Sequence, residues 1–313
     1  MKKRKDEYSL NWDKKGVVLR PCNDTDWMST HTSVPTLLQI SENQYRIFFA
    51  GRSKENYSRL GYLDIDLNNP MVPIYLTPRS IMDVGSLGAF DDSGVTPAWA
   101  ICVKNEIHLY YTGWMRGQSI PYYLSIGLAV SSDGGESFQR YSKAPILSRN
   151  SIDPYLTASP CVILDEGIFK MWYVSGTKWG QYNNTVRPNY NIKYAESHNG
   201  VNWDRFGDAC IDFKYKDEWA ISRPSVIKEN ELYKMWYSYS CNGYRLGYAE
   251  SYDGIKWVRK DEEVGINLSA NGWDSKMMAY PSVIKNNDQL YLFYNGNGYG
   301  QTGMGYAIKS EQR

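Results

Sequence analysis

Several features that mark particular protein classes are scarce in this sequence. Its 5 cysteines are odd in number and form no CxxC pair, so neither a zinc site nor a disulfide framework is indicated. With only 3 histidines, a dedicated transition-metal site is not expected either. The 35 basic and 34 acidic residues leave a formal charge of +1, which argues against a nucleic-acid partner.

Long apolar runs are also missing. No stretch approaches the roughly 20 apolar residues of a membrane-spanning helix. The N-terminal sequence MKKRKDEYSLNWDKK lacks the apolar core of a signal peptide. We therefore expect a cytoplasmic protein with reduced thiols and without a membrane partner.

Aromatic residues, by contrast, are abundant and fall in short, similar segments. They make up 15% of the chain, with 27 tyrosines and 11 tryptophans, and such side chains favour half-buried β-strands. Residues 219–250 contain a strand of small residues broken by a proline, then an alternating aromatic strand and a strand ending in YAE. A fourth strand is expected after the tight turn at 251–254 and is predicted to end at Trp257.

The same pattern occurs five times, at intervals of about sixty residues. Four short antiparallel strands repeated at this length are typical of a propeller blade. We predict an all-β, five-bladed β-propeller with four-stranded antiparallel blades, forming a single domain over residues 1–313. The blades are predicted to start near residues 31, 92, 155, 219 and 276, and residues 16–21 are a candidate edge strand that helps to close the ring. The prolines that anchor the repeats are Pro35, Pro97, Pro160, Pro224 and Pro281.

Three repeats contain a hairpin turn that is closed by an aromatic residue, at 131–138, 197–203 and 251–257. Asp-Gly and Asn-Gly supply the positive φ angles that tight hairpins require. The first turn also matches the SxDxGxxF pattern known as an Asp box. We interpret all three turns as structural.

A carboxylate recurs shortly before every anchoring proline, usually beside an aromatic residue. In a propeller the loops that enter the innermost strands meet at one mouth of the central funnel, so we expect these side chains to converge there. Crowded carboxylates raise one another's pKa, which lets one act as an acid while another stays ionised. A turn-capping role stays open for each. The candidates are Asp91, Asp92, Asp153, Glu218 and Asp274.

Candidate substrate-binding residues occur in and around the same loops. Aromatic rings pack against the C–H faces of sugars, and guanidinium groups bind carboxylate or phosphate oxygens in pairs. The insertion at residues 177–190 is predicted to be a functional rim loop, because long loops in compact domains tend to be functional. No metal-ligating residue is predicted. The candidates are His31, Arg52, Trp114, Arg116, Trp179, Arg223, Lys276, Tyr280 and Asn295.

Taken together, these motifs resemble those of the five-bladed β-propeller glycoside-hydrolase superfamily. That superfamily includes the arabinanase/xylosidase group (family 43), the invertase-like group (family 32) and the mannoside-phosphorylase group (family 130). The chain looks most similar to an uncharacterised cytosolic "glycosylase" branch found among bacterial surface-polysaccharide genes. The resemblance covers roughly residues 12–310 and rests on the segments HTSVP, FDDSGV, SRPSVIKE, YKMWYSY and NGNGYG.

The resemblance implies a carbohydrate ligand and allows a calcium ion at the axis, with no other cofactor. Family-43 and family-32 enzymes use three carboxylates, several of them directly beside an anchoring residue of a blade. This sequence departs from that pattern, so the fold and the ligand class carry over but the mechanism does not. The residues before the five prolines are Val34, Thr96, Ser159, Arg223 and Tyr280.

The first functional hypothesis is an enzyme that cleaves or transfers a glycosyl group in intracellular sugar or surface-polysaccharide metabolism. Its acid–base pair would come from the five candidate carboxylates, with Asp92 as the first choice. A phosphorylase that uses inorganic phosphate is open within this class, since His31, Arg52, Arg223 and Lys276 could bind phosphate. The alternatives are a non-catalytic carbohydrate-binding propeller and a protein-interaction propeller.

Overall fold

The computed structural model describes residues 10–182 and 184–310. Almost all regular structure in these residues is β-strand, and all but two of the strand pairings are antiparallel. The prediction of an all-β, antiparallel chain is confirmed. The exceptions to strand structure are a 3-10 turn at Asp261–Glu263 and a short helical turn at Asn297–Gly300.

The antiparallel pairings divide the strands into five groups of four, which we call units 1 to 5. Unit 5 takes its fourth strand, β1 (Trp12–Leu19), from the start of the chain, beside β18 (Ala279–Asn286), β19 (Gln289–Asn295) and β20 (Met304–Lys309). Unit 1 contains β2 (His31–Gln39), β3 (Gln44–Arg52), β4 (Ser58–Asp66) and β5 (Tyr75–Leu76). Unit 2 contains β6 (Gly94–Val103), β7 (Glu106–Arg116), β8 (Tyr122–Ser131) and β9 (Gln139–Arg140). Unit 3 contains β10 (Thr157–Asp165), β11 (Ile168–Tyr182), β12 (Thr185–Ser197) and β13 (Asp204–Ile211). Unit 4 contains β14 (Ala220–Glu229), β15 (Leu232–Ser240), β16 (Tyr244–Ser251) and β17 (Val258–Arg259).

Unit 4 shows how the sequence pattern becomes structure. In β15 burial alternates from Leu232 to Met235, as the pattern predicts, and then becomes continuous through Ser238. The alternation ends there because the units on either side cover both faces of the strand. The expected end of the fourth strand at Trp257 is wrong. That ring leaves the sheet and packs against Trp172 of unit 3, with centroids 6.0 Å apart, and β17 begins one residue later.

The two ends of the chain meet in unit 5. Strand β1 pairs with β20 from Trp12 opposite Lys309 to Leu19 opposite Met304. The predicted edge strand is therefore present, but it begins earlier than residue 16. Trp12 anchors it, since its indole Nε1 donates to the Val264 carbonyl at 2.8 Å and its ring packs edge-on against Trp236.

The first strands of the five units form a closed ring. Strand β2 contacts β6, β6 contacts β10, β10 contacts β14, and β14 contacts β18, which contacts β2 again. Two pairs of adjacent units are also joined by single parallel pairs, Ser58 with Gly94 and Tyr190 with Ala220. All five units therefore share one central region bounded by their first strands.

The hairpin turns fasten neighbouring units to one another. Within the first turn, the Asp133 carboxylate accepts the amides of Glu136 and Ser137, each at 3.0 Å, which fixes the backbone locally. A side chain on the second strand of the preceding unit then donates to a glycine carbonyl of each turn. These bonds are Arg46 to Gly134 (2.9 Å), Tyr110 to Gly200 (2.9 Å) and Trp172 to Gly254 (2.6 Å).

Candidate functional site

The first strands bulge where they approach the central region. In four of them the residue before the anchoring proline has a left-handed backbone, with the ladder register broken at that point. Such conformations are costly for residues other than glycine, and most of all for the β-branched Val34. The φ values are 58° at Val34, 45° at Ser159, 53° at Arg223 and 58° at Tyr280.

Side chains from the preceding unit hold three of these bulges in place. Each accepts a hydrogen bond from the backbone amide of the left-handed residue, so no buried donor is left unpaired. The bonds run from Val34 to Asn295 (2.8 Å), from Ser159 to Thr112 (2.8 Å) and from Tyr280 to Ser238 (2.7 Å). The strained backbone is thus fixed by its neighbours and directs residues toward the centre.

A cavity of about 350 Å³ lies where the bulges meet, in the lower part of the range typical of small-molecule sites. All five units contribute to its wall, and no Asp or Glu is among the lining residues. The lining residues are Ser33, Val34, Arg52, Asn56, Thr96, Thr112, Trp114, Tyr122, Leu124, Leu156, Ala158, Ser159, Val174, Tyr190, Ser222, Tyr280 and Tyr299.

Aromatic rings form much of this wall. Trp114 is held by a hydrogen bond from its Nε1 to Ser58 Oγ at 2.8 Å. Tyr280 and Tyr299 stack with their ring centroids 6.3 Å apart. Burial raises the pKa of Tyr122 to about 12, so its phenol stays protonated and can donate or accept a hydrogen bond at neutral pH. The wall therefore combines flat apolar faces with fixed hydroxyl groups.

The charged group in the wall is Arg52. Its Nε is buried without a hydrogen-bond partner, and burial lowers the pKa of the guanidinium. His31 lies opposite Arg52 in the β2–β3 ladder but does not line the cavity. Burial and the Arg52 charge lower the pKa of His31 to about 4, so its imidazole is neutral at pH 7.

A second arginine, Arg223, crosses the central region without lining the cavity. It is fully buried, and its guanidinium donates to the Pro35 and Ala98 carbonyls of units 1 and 2 and to Thr36 Oγ1. Burial lowers the pKa of Arg223 to about 10, so it is still a cation at neutral pH. Arg223 thus links three units through neutral acceptors and not through a carboxylate.

The predicted catalytic carboxylates do not converge in the cavity, contrary to expectation. Three of them repeat one arrangement, in which the carboxylate accepts from a tyrosine on the second strand and from a basic residue on the fourth strand of its own unit. The sets, which we call the outer charge clusters, are Asp91 with Tyr111 (3.0 Å) and Arg140 (2.7 Å), Asp153 with Tyr173 (3.0 Å) and Arg205 (2.9 Å), and Asp274 with Tyr294 (3.0 Å) and Lys14 (2.6 Å).

Unit 4 has a variant of the same cluster. Glu218 accepts from both terminal nitrogens of Arg259, at 2.6 and 2.8 Å, while Tyr237 donates to Asp261. Burial raises the pKa of Glu218, but the bonds from Arg259 and the Lys214 amide outweigh it, so the pKa is lowered overall. These four carboxylates are buried, and each accepts hydrogen bonds through at least one oxygen, while Oδ1 of Asp91 and Oδ1 of Asp274 have no partner among the described residues. A buried carboxylate requires such partners, which is why they lie against the outer strands.

Asp92 differs from the other four because it is only half-buried. Its carboxylate accepts from the Gly88 amide at 3.0 Å and from Ser93 Oγ at 2.8 Å, as a turn-capping residue does. It does not line the cavity. Its catalytic role stays a prediction, as do those of the other four.

Some of the predicted binding residues line or support the cavity, and others do not. Arg52, Trp114 and Tyr280 line the cavity, and Trp179 supports it through an edge-on contact with Tyr122 at 5.4 Å. Asn295 is buried, and its side chain hydrogen-bonds the backbone of β2. It accepts from the Val34 amide and donates to the Thr32 carbonyl.

Two further predicted binding residues, Arg116 and Lys276, lie outside the cavity wall and on the exposed surface. Arg116 is exposed and donates to Tyr57 Oη at 3.2 Å and to backbone carbonyls at 55 and 56. Lys276 is exposed.

The expected rim loop at 177–190 is wrong, because β11 and β12 continue through most of it as a paired hairpin. Asn183 lies outside the described residues. Most of the lining residues were not predicted. Those with a tyrosine or asparagine side chain are Asn56, Tyr122, Tyr190 and Tyr299. The available signals were the position of Tyr190 at the end of the insertion and that of Tyr299 in the NGNGYG motif.

In residues 10–182 and 184–310, no group of three or more His, Cys, Asp or Glu side chains is placed to hold a metal ion. No helix in that part of the chain is long and apolar enough to cross a membrane.

Solved structures define the class of fold. A glycoside hydrolase superposes with a TM-score of 0.74 at 18% identity, covering 100% of this chain and 96% of its own. A glycosyl hydrolase from Bacteroides ovatus gives 0.73 at 13% identity, covering 98% and 96%. A thermostable family-43 glycoside hydrolase gives 0.64 at 18%, covering 90% and 95%. The chain has the fold of these glycoside hydrolases, as the sequence motifs predicted.

Sequence comparison identifies nearer relatives. The uncharacterized proteins MT1551 and Rv1502, from two strains of Mycobacterium tuberculosis, are each 34% identical over 299 residues. The alignments cover 96% of this chain and 99% of each relative. No protein-family model matches the chain. The protein belongs to the same family as these two mycobacterial proteins.

Proposed function

We propose that the protein is carbohydrate-active and binds a saccharide in its central cavity. In this proposal the five units are the blades of a β-propeller, in line with the closed ring of first strands. The observation that carries the proposal is the composition of the wall. Rings such as Trp114 and Tyr280 lie among fixed hydroxyls in a cavity of small-molecule size. The shared glycoside-hydrolase fold supports it.

The test is binding of a panel of mono- and disaccharides to the full chain, measured by saturation-transfer NMR and calorimetry. Trp114→Ala is expected to weaken binding by about 10- to 100-fold, as for a central aromatic contact. Tyr252→Ala is the matched control, because Tyr252 is 81% exposed and lies outside the cavity. Binding unaffected by Trp114→Ala, or no binding across the panel, contradicts the proposal.

Cleavage or transfer of a glycosyl group is the second candidate, and the fold shared with glycoside hydrolases favours it. A carboxyl pair is the usual requirement, and no cavity-lining residue carries a carboxyl group. The geometry thus supports binding more directly than hydrolysis. Turnover of a glycoside panel, lost in Asp92→Asn while saccharide binding is retained, would establish an enzyme. Absence of turnover in the unmodified protein would favour a binding protein.

A further inference from the structure

Within the described residues, the arginines of the outer charge clusters are ion-paired, whereas the arginine that lines the central cavity is not. Each arginine of the clusters is paired with a carboxylate, as Arg140 is with Asp91 at 2.7 Å. Arg52 has no ion pair and no side-chain hydrogen bond to any of the residues described here. A guanidinium group that is removed from water without an acceptor costs several kcal/mol. Arg52 is therefore a half-buried cation without a partner among the residues that the structure describes.

Arg223, a buried arginine near this cavity, has protein acceptors for both terminal nitrogens of its guanidinium. These nitrogens donate to the Pro35 and Ala98 carbonyls and to Thr36 Oγ1, while Nε has no partner among the described residues. It is thus a structural link that also adds positive charge to the central region. In the part of the chain that the structure describes, no comparable set of carbonyls accepts hydrogen bonds from the side chain of Arg52, which lines the cavity.

A third arginine adds to the positive charge near the wall. The Arg187 guanidinium lies 4.1 Å from the ring centroid of Tyr182 and 4.2 Å from that of Trp219, and its Nε is buried without a partner. It is close enough to influence the pKa of Tyr299, a lining residue whose pKa burial raises overall. No carboxylate in the wall offsets this charge.

We propose that the saccharide bound in the central cavity carries an anionic group, a carboxylate or a phosphate, which Arg52 binds. This inference rests on the proposed function and specifies its ligand class. A planar guanidinium matches two oxygens of either group with paired hydrogen bonds, and such bonds are stronger in a cavity shielded from water. The neighbouring His31 is neutral and does not compete for the anion.

The experiment uses matched sets of probes and the full chain. Each set contains one neutral sugar, its uronic acid and its 6-phosphate, in the glucose, galactose and mannose series, with inorganic phosphate alone as a further probe. Calorimetry compares the unmodified protein with Arg52→Gln, Arg52→Lys and the control Arg79→Gln. Arg79 is exposed and does not line the cavity. Melting temperatures of all variants confirm folding.

We expect an acidic member of at least one series to bind about 10-fold or more tightly than its neutral counterpart. Arg52→Gln should remove about 10- to 100-fold of that affinity and weaken neutral sugars much less, as the loss of a charge-assisted hydrogen bond predicts. Arg52→Lys keeps the charge without the paired geometry and should lose less. The uronic acid and phosphate arms identify which anion is bound.

Three results would overturn the inference in distinguishable ways. Neutral and acidic members binding equally well would refute the anionic ligand and leave saccharide binding intact. An acid preference that survives Arg52→Gln would refute the role of Arg52. Binding of inorganic phosphate alone, with no sugar of any series bound, would refute the saccharide and with it the proposed function.

Discussion

The outer charge clusters and the central cavity are built from similar residues, but among the residues described the charges are paired in the clusters and unpaired in the cavity wall. In the clusters, tyrosine and arginine surround a buried carboxylate and every charge has a partner, as in Asp153 with Tyr173 and Arg205. In the cavity, tyrosines and Arg52 surround open space without a carboxylate. The difference indicates which charges hold the fold together and which are kept for a ligand. An unpaired, half-buried cation is a cost to folding that a bound anion would offset.

The largest effect that would test this contrast is the loss of a cluster arginine. Arg259→Gln leaves the buried carboxylates of Glu218 and Asp261 without their shared partner. We expect the free energy of unfolding to fall by about 3–5 kcal/mol, as when one member of a buried pair is removed. Urea denaturation measures it, with Arg79→Gln expected within about 0.5 kcal/mol of the unmodified protein. A loss below about 1 kcal/mol would show that the clusters are not needed for the stability of the fold.

The pH dependence of stability tests the pairing of Glu218 in the same cluster. Because the folded-state pKa of Glu218 is lowered, its contribution to stability is present above its ordinary pKa of about 4.3 and is lost as pH falls through the folded value. Glu218→Gln mimics the protonated side chain. The stability gap between the two proteins should be about 2 kcal/mol at pH 7 and should shrink below about pH 4. Chemical denaturation at each pH measures the gap, and one that is constant from pH 7 to pH 3 contradicts the pairing.

The smallest expected effect is an increase in stability, and it concerns Arg52 in the cavity wall. Arg52→Met removes an unpaired cation and keeps a side chain of similar length, so the ligand-free protein should become more stable by about 1 kcal/mol. Thermal and urea unfolding measure the change beside Arg259→Gln. If Arg52→Met destabilises the protein as Arg259→Gln does, Arg52 has a structural role and the contrast between the two regions fails.

The repeats made much of the fold predictable. Alternating aromatic strands such as 232–237 and turns such as 251–254 depend on local periodicity and on residues that permit positive φ. One prediction failed where another unit intervenes, because Trp257 leaves its sheet for a contact with Trp172 of unit 3. The other failure lies within unit 3, where residues 177–190 pair as a hairpin in place of the expected loop.

The site was predicted only in part, for a similar reason. Arg52, Trp114 and Tyr280 were identified as candidates because aromatic and guanidinium groups suit sugars, and the structure places all three in the cavity wall. The carboxylates were expected in the same place because they precede the anchoring prolines. Their sequence positions do not reveal the tyrosine on the second strand or the base on the fourth that engages each of them.

The sequence by itself determined that this chain is all-β with antiparallel strands, because strand periodicity and turn chemistry are local properties. Only the tertiary structure decided which charges are partnered. Pairing depends on where side chains from separate strands and units meet, and burial then makes a charge without a partner costly. For that reason Asp153 and Arg52, both plausible ligand-binding residues in the sequence, have different places in the folded protein.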